Sequence, residues 1–516
     1  MELLPAKATF APGEPIVVEA RDVGGSMRLL HLDRVVAEAE ISNGRAAFPP
    51  QPEGGYGVDA DGASTALDVL ADPLHRPRYG FVSHYESDRA VDGVSENVRR
   101  FHLNAVQFYD WMYRHAKLMP PSEEFEDALG QRVSLGTVRR LVAAVREVGS
   151  LPMAYAAVYA VGAEAWPDWE SDGLFRRDGS PWMLGDFLWN VDPTSERWLA
   201  HFTADLRSTL EVGFAGFHLD QYGSPKWAER SDGSLVDLVE AFPALIDRVA
   251  SDVPESQNIF NNVNDFPTFA TVRANQALTY IEVWAPHTTL AHLAELVTKA
   301  RLLGPDRPVI LAAYLSAYRG DEAAALQAEK LQLATVFSHG GTVLLHGEEA
   351  AVLTEAYYVT HKEIAAATQD AARRYFDLAV RYGDLLFASE DVTRTHLGGE
   401  NEEVRIEAPV PHATDADAGA LWGRVLRVRE GLLVSLIDLS AQTDATWDAP
   451  KVVAQPLAGV RLSILRRGED PPGFAVASPD EPQLALLEPE RSERYDTVML
   501  PAFDTWALVL IRDGAA

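Results

Sequence analysis

Cysteine is missing altogether from the 516 residues. Disulfide bridges, thiol nucleophiles and any cysteine-ligated zinc or iron–sulfur centre are therefore excluded. Basic residues are scarce: 45 Lys and Arg face 76 Asp and Glu, a formal charge of −31. Such a surface repels nucleic acid and anionic membranes and suits a neutral or cationic ligand. No apolar run approaches the length of a membrane span. The opening MELLPAKATFAPGEP has no basic segment leading into an apolar one, so no secretory leader is expected and the cytoplasm is the expected compartment. A mature secreted form trimmed of its leader would read the same way. Metal motifs are missing as well. Neither H-E-x-x-H nor a D-x-D-x-D-G loop occurs, SDGS at 231–234 reads as a turn, and no metal or cofactor is expected.

What is present divides into three regions, within the roughly two to four domains that this length allows. Residues 1–75 carry short β-type runs, EPIVVEARDV, MRLLHLD and ASTALDVLAD, between the turn signals PGE, VGGS and EGGYG. They predict a small immunoglobulin-like β-sandwich. From 76 to 390, apolar runs of strand length alternate with amphipathic helical segments. The runs lie at 78–85, 105–111, 151–159, 213–221, 258–263, 277–284, 308–316 and 341–348. Eight strands alternating with helices are the signature of a (β/α)8 TIM barrel. A doubly wound open sheet is the main rival, but no G-x-G-x-x-G follows the first run. From 391 to 516 the alternation gives way to strands without long helices, which predicts a second β-sandwich.

Active sites of such barrels lie at the C-terminal ends of the strands. GFAGFHLDQYG at 213–223 begins as a buried strand and ends on Asp220, with His218 on the same side. LTYIEVWAPH at 278–287 places Glu282 at the corresponding end of the sixth strand. Two carboxylates across a pocket are what glycoside hydrolysis needs, one to attack and one to protonate the leaving oxygen. Glu282, between Tyr280, Val283 and Trp284, has the drier setting and the expected raised pKa. Asp220, beside His218 and Gln221, has donors to keep it ionised. Asp220 is thus the candidate nucleophile and Glu282 the candidate general acid/base, with Glu348 and Glu349 as rival acids. Candidate substrate-binding side chains at the strand ends are Tyr109, Asp110, Trp111, His115, Tyr155, His218, Gln221, Asn262, Trp284, His346 and Glu348. The loop after the third strand adds Trp189, and it holds four of the eleven tryptophans between Trp166 and Trp189. Some of these are expected to pack the loop on itself. His102, His201 and His292 fall on helical segments and are expected to serve the core or the surface.

NAVQFYDWMYRH, PMAYAAVYA, GFHLDQYG, NNVND and YIEVWAP together resemble glycoside hydrolase family 66, the dextranases and cycloisomaltooligosaccharide glucanotransferases. The stretch 347–358 is similar too, so the resemblance spans essentially the whole chain. It implies a retaining mechanism with the nucleophile at Asp220 and the acid/base at Glu282, and an α-1,6-linked glucan or isomaltooligosaccharide as substrate. Cyclising members usually carry a carbohydrate-binding domain inserted in the barrel. No interval between strands is long enough here, which points to plain hydrolysis of the dextranase kind. Transglycosylation, and a silent carbohydrate-binding barrel, are the alternatives.

Overall fold

The structure is a computed structural model and describes residues 1–357, 360–398 and 402–512. Tyr358, in the 347–358 stretch, and residues 399–401 and 513–516 of the C-terminal region lie outside the described residues. The barrel strands are β1 (Tyr79–Val82), β2 (Ala105–Phe108), β3 (Leu151–Ala157), β4 (Gly216–Asp220), β5 (Gln257–Val263), β6 (Leu278–Glu282), β7 (Val309–Ala312) and β8 (Gly341–Gly347). Each pairs in parallel with the next, and β8 returns to β1. The barrel is closed, and the open-sheet rival falls. Strands covered on both faces read as unbroken apolar runs; every residue of β1, β2, β6 and β7 is buried.

The helices are α1 (Asp92–Arg100), α2 (Leu135–Glu147), α3 (Glu196–Thr209), α4 (Leu238–Asp252), α5 (Leu290–Leu303), α6 (Glu322–Ser338) and α7 (Ala366–Arg381). In α2, Leu135, Val138, Leu141, Val142 and Val145 recur at three- and four-residue spacing and form the buried stripe. Ser195, Asp237 and Asp321 cap α3, α4 and α6 by accepting backbone N–H bonds. Between β5 and β6 the described helix is a single turn, Thr268–Thr271. Helix α6 is buried on nearly all sides, because Gln327 and Lys330 reach Thr505 and Asp504 of the C-terminal region.

The flanking regions are sheet pairs. Glu2–Pro5, Ile16–Arg21 and Arg45–Phe48 form one antiparallel sheet; Ser26–His31, Arg34–Glu40, Gly54–Ala60 and Ala63–Val69 form the other. At the C-terminal end the hairpin Leu421–Val428/Gly431–Asp438 pairs with Trp506–Arg512. A second sheet, centred on Arg461–Leu465, faces it, and Val425, Val434, Leu462 and Val509 share the core between them.

One turn signal proves to be a strand. EGGYG contributes to Gly54–Ala60, a buried strand beside α7. Its glycines serve close approach rather than a bend. A Cβ on Gly55 would lie 2.2 Å from the Val380 carbonyl oxygen. Beside it, the Arg381 guanidinium donates two bonds, 2.9 and 3.0 Å, to the buried carboxylate of Asp59, which fastens the sandwich to the barrel.

Gly55→Ala is accordingly expected to destabilise the protein by about 1–3 kcal/mol, the usual cost of forcing extra volume into a packed contact. The check is the midpoint of urea unfolding; an unchanged midpoint would mean that α7 yields without loss.

Candidate active site

The closed barrel brings the C-terminal ends of β3, β4, β5 and β6 side by side. Asp220 ends β4 and Glu282 ends β6, with β5 between them. The parallel register sets Asn261 of β5 opposite Tyr280 of β6, so Asn261 projects into the space between the acids. Its Nδ2 donates to Asp220 Oδ1 at 2.7 Å and to Glu282 Oε2 at 2.9 Å. A primary amide nitrogen carries two hydrogens. With one aimed at each acceptor, the two oxygens lie about 5 Å apart. The other oxygens take phenol donors: Tyr155 to Asp220 Oδ2 at 2.8 Å, and Tyr314, just beyond β7, to Glu282 Oε1 at 3.1 Å. The Trp284 indole also donates to Glu282.

Burial pushes the pKa of both carboxyls above the ordinary range, and the Asp220 charge pushes Glu282 further. Burial, followed by the charge of the acids, also raises the phenols of Tyr155 and Tyr314, so they remain protonated donors. The donors to Asp220 are not its sequence neighbours' side chains. They are Asn261, Tyr155 and the Gln221 backbone N–H.

The other sequence-predicted residues divide by the direction in which they point. Tyr109 lies close enough to the pair that the charges of Glu282 and Asp220 raise its phenol after burial. Asp110, in the left-handed region at φ 35°, bears on Tyr109 and Tyr155. Trp284 is 43% exposed and meets Tyr314 edge-on, a flat face at the rim beside Glu282. These residues and Tyr155 gather around the acids.

Several do not. Trp111 is fully buried against Phe214. His115 is buried, its ring held down to about 4 by desolvation, and no described contact brings it to the acids. His218 sits one layer below Asp220 among Tyr79, Tyr155 and Tyr280, held neutral by burial at about 3. It fills the layer of the barrel below the acids. Gln221 donates to the carbonyls of Asn261 and Phe266 and so supports β5. Asn262 points away from the cleft, its amide on the Tyr280 carbonyl and its oxygen taking the Thr271 hydroxyl. His346 faces outward to Glu329 of α6. Glu348 accepts from Ser83 N and Oγ, His84 N and Arg89, which leaves it a clamp between β8 and β1. Glu349 is exposed and lies over Gly93 of α1. In the tryptophan-rich loop, Trp189 stacks on Trp166 and Trp169 packs edge-on to Trp198. His102, His201 and His292 bond Asp377, the Ala116 carbonyl and the Thr289 cap. Among the described residues no group of three or more His, Asp or Glu is placed to hold a metal ion, and no helix is long and apolar enough to cross a membrane.

Asn261 and Tyr314 are the two site residues that sequence reasoning missed. In NIFNNV the two faces carry Ile259, Asn261, Val263 and Asn258, Phe260, Asn262. Polarity therefore does not tell which asparagine faces inward. Tyr314 lies in the apolar run PVILAAYLS, and the strand ends at Ala312, earlier than hydropathy suggests.

With this geometry in hand, likeness to known proteins is informative. The family model described as Glycosyl hydrolase family 66 matches residues 6–510. Two curated relatives, both cycloisomaltooligosaccharide glucanotransferases of Niallia circulans, are 24% identical. One matches over 437 residues, 73% of this chain and 44% of the relative; the other over 371 residues, 60% and 38%. The chain thus spans less than half the length of either. The solved structure of a Paenibacillus sp. cycloisomaltooligosaccharide glucanotransferase complexed with cycloisomaltoheptaose superposes at a TM-score of 0.88 and 18% identity, covering 99% of both chains. The maltogenic α-amylase AmyB of Thermotoga neapolitana reaches 0.53 at 10% identity, covering 85% of this chain and 100% of that one. At these identities the structural likenesses speak for the fold.

Because the charge of Asp220 adds to burial in raising Glu282, Asp220→Asn is expected to lower the Glu282 pKa. Removing a neighbouring negative charge favours the ionised form. NMR of carboxyl-labelled glutamate reads this directly, and a pKa that stays or rises would separate the two groups.

Proposed function

The chain belongs to Glycosyl hydrolase family 66, and from that premise we propose that it is a retaining glycosidase of the dextranase kind, cleaving α-1,6 linkages in dextran or isomaltooligosaccharides by double displacement. The observation that carries the reading is the single amide nitrogen bonded to both acids. Oxygens about 5 Å apart suit a pair in which one acid attacks the anomeric carbon itself. Inversion needs roughly 6.5–9.5 Å, to leave room for a water.

In the first step an Asp220 oxygen bonds to the anomeric carbon as the glycosidic bond breaks, and the Glu282 proton passes to the departing sugar oxygen. The sugar is left as an ester of Asp220. In the second step Glu282 takes a proton from water, the resulting hydroxyl bonds to the anomeric carbon, and Asp220 leaves as a carboxylate. Trp284 offers an apolar face for a sugar ring next to Glu282, on the side of the leaving group. Tyr109 and Asp110 offer a hydroxyl and a carboxylate to sugar hydroxyls on the opposite rim.

The second reading is transfer to a sugar hydroxyl in place of water, and it is favoured by the names of the relatives. A silent binding barrel has less support, since it gives no reason to bury two acids at such proximity.

Dextran and isomaltooligosaccharides are expected to yield new reducing ends; mass analysis showing cyclic or lengthened products without them would favour transfer. Asp220→Gly and Glu282→Gln are each expected to lose about 10²–10⁴-fold or more in kcat. Azide then distinguishes the roles. With an activated α-glucosyl donor it should give a β-glucosyl azide in the Asp220 variant and an α-glucosyl azide in the Glu282 variant. The reverse pattern, or full activity in either variant, would overturn the assignment.

A further inference from the structure

Beside the two acids lies a side chain whose described hydrogen bonds all go to them. Asn261 is 3% exposed. Its Nδ2 serves Asp220 and Glu282, and among the described residues no donor reaches its Oδ1. The contrast with its neighbour is informative. Asn262, equally buried, spends its amide on backbone carbonyls and its oxygen on Thr271, as a structural asparagine does. Asn261 leaves a buried oxygen without such a partner, which costs free energy, while aiming both hydrogens at carboxylates. Its backbone is fixed from two sides, by the parallel register with β6 and by Gln221 Nε2 on its carbonyl at 3.1 Å. The orientation of the amide follows from charge, because the opposite rotamer would turn its oxygen toward two acids.

We propose that Asn261 is a positioning residue of the reaction: by giving one amide hydrogen to each acid it sets the spacing of nucleophile and acid/base and selects which oxygen of each is left to act. Asp220 Oδ1 and Glu282 Oε2 face the amide. Asp220 Oδ2 and Glu282 Oε1, bonded to Tyr155 and Tyr314, carry the remaining lone pairs. The proton that Glu282 delivers then sits on Oε1, beside Tyr314 and Trp284. Among the described residues, the titratable groups whose charge or burial is tied to the pair are Tyr109, Asp110, Tyr155, Tyr159, Tyr222, Tyr280 and Tyr314. None of them is a cation, so among the described residues the two acids are offset by neutral donors. The inference rests on the assignment of Asp220 and Glu282 given above.

The test compares Asn261→Ala and Asn261→Asp with Asp220→Asn and Glu282→Gln on one isomaltooligosaccharide, following kcat, KM and their pH profiles. Asn261→Ala is expected to lose about 10²-fold in kcat, as for one preorganised donor, with KM changed far less. Both limbs of its kcat profile should move to higher pH, because the lost donor had favoured the ionised carboxylates. Asn261→Asp, which keeps the shape and replaces the donor by a third acid, should move them further. It carries the test alone if the alanine variant does not unfold cooperatively. A wild-type kcat, or a kcat loss with both limbs unmoved, would overturn the inference. If that occurs while Asp220→Asn and Glu282→Gln are inactive, the catalytic assignment stands and only the role of Asn261 falls. Activity in those two variants would remove the assignment and this inference together.

Discussion

Two carboxylates buried side by side, with no described cation between them, are the constraint around which this site is built. Among the described residues, no Lys or Arg hydrogen-bonds Asp220 or Glu282; their donors are an amide, two phenols, an indole and a backbone N–H. Neutral dipoles soften the desolvation of a carboxylate without neutralising it. Both acids therefore remain raised, and each feels the other. An arginine in place of Asn261 would hold both ionised and leave no proton to deliver. A pair of this kind needs one acid that keeps a proton beside one that does not, and neutral donors leave room for both forms.

Holding like charges this close requires stiff supports. The barrel supplies them through its backbone, with β4, β5 and β6 locked by parallel ladders. The layer below the acids is filled by His218 and its tyrosines. Around it, polar residues that looked functional act as ties: Gln221 fastens β5, Asn262 fastens β5 to β6, and Glu348 closes β8 onto β1. Their partners are informative. A buried polar side chain whose partners are backbone groups fixes geometry. One whose described side-chain partners are only carboxylates, as at Asn261, is the kind proposed here to serve the chemistry.

The barrel was legible because strand burial on both faces and helical periodicity are properties of single segments. The acids were legible because an ionisable group at the end of an apolar strand violates that pattern. The inward face of β5 was not, since an asparagine stands on each face of its last turns and only the pairing register decides between them. Tyr314 hid for a related reason: a tyrosine in an apolar run looks like core until the strand end is known. EGGYG was misread because glycine signals both bends and close approach, and only the packing of α7 against Gly55 separates the two.

Under the retaining reading proposed above, the same coupling that raises Glu282 would also fit it for both halves of a double displacement. While Asp220 is a free carboxylate, its charge and the burial favour a protonated Glu282, the form that a departing sugar oxygen requires. On that reading, esterification of Asp220 would remove its charge, and Glu282 would lose one of the two causes that raise its pKa. It then ionises more readily, which is the form that must accept a proton from water or from a sugar hydroxyl. No conformational change is needed to convert acid into base; the bond made in the first step alters the proton affinity needed in the second. That economy depends on proximity in a medium of low polarisability, and would fade if the acids were moved apart or given a cation to share.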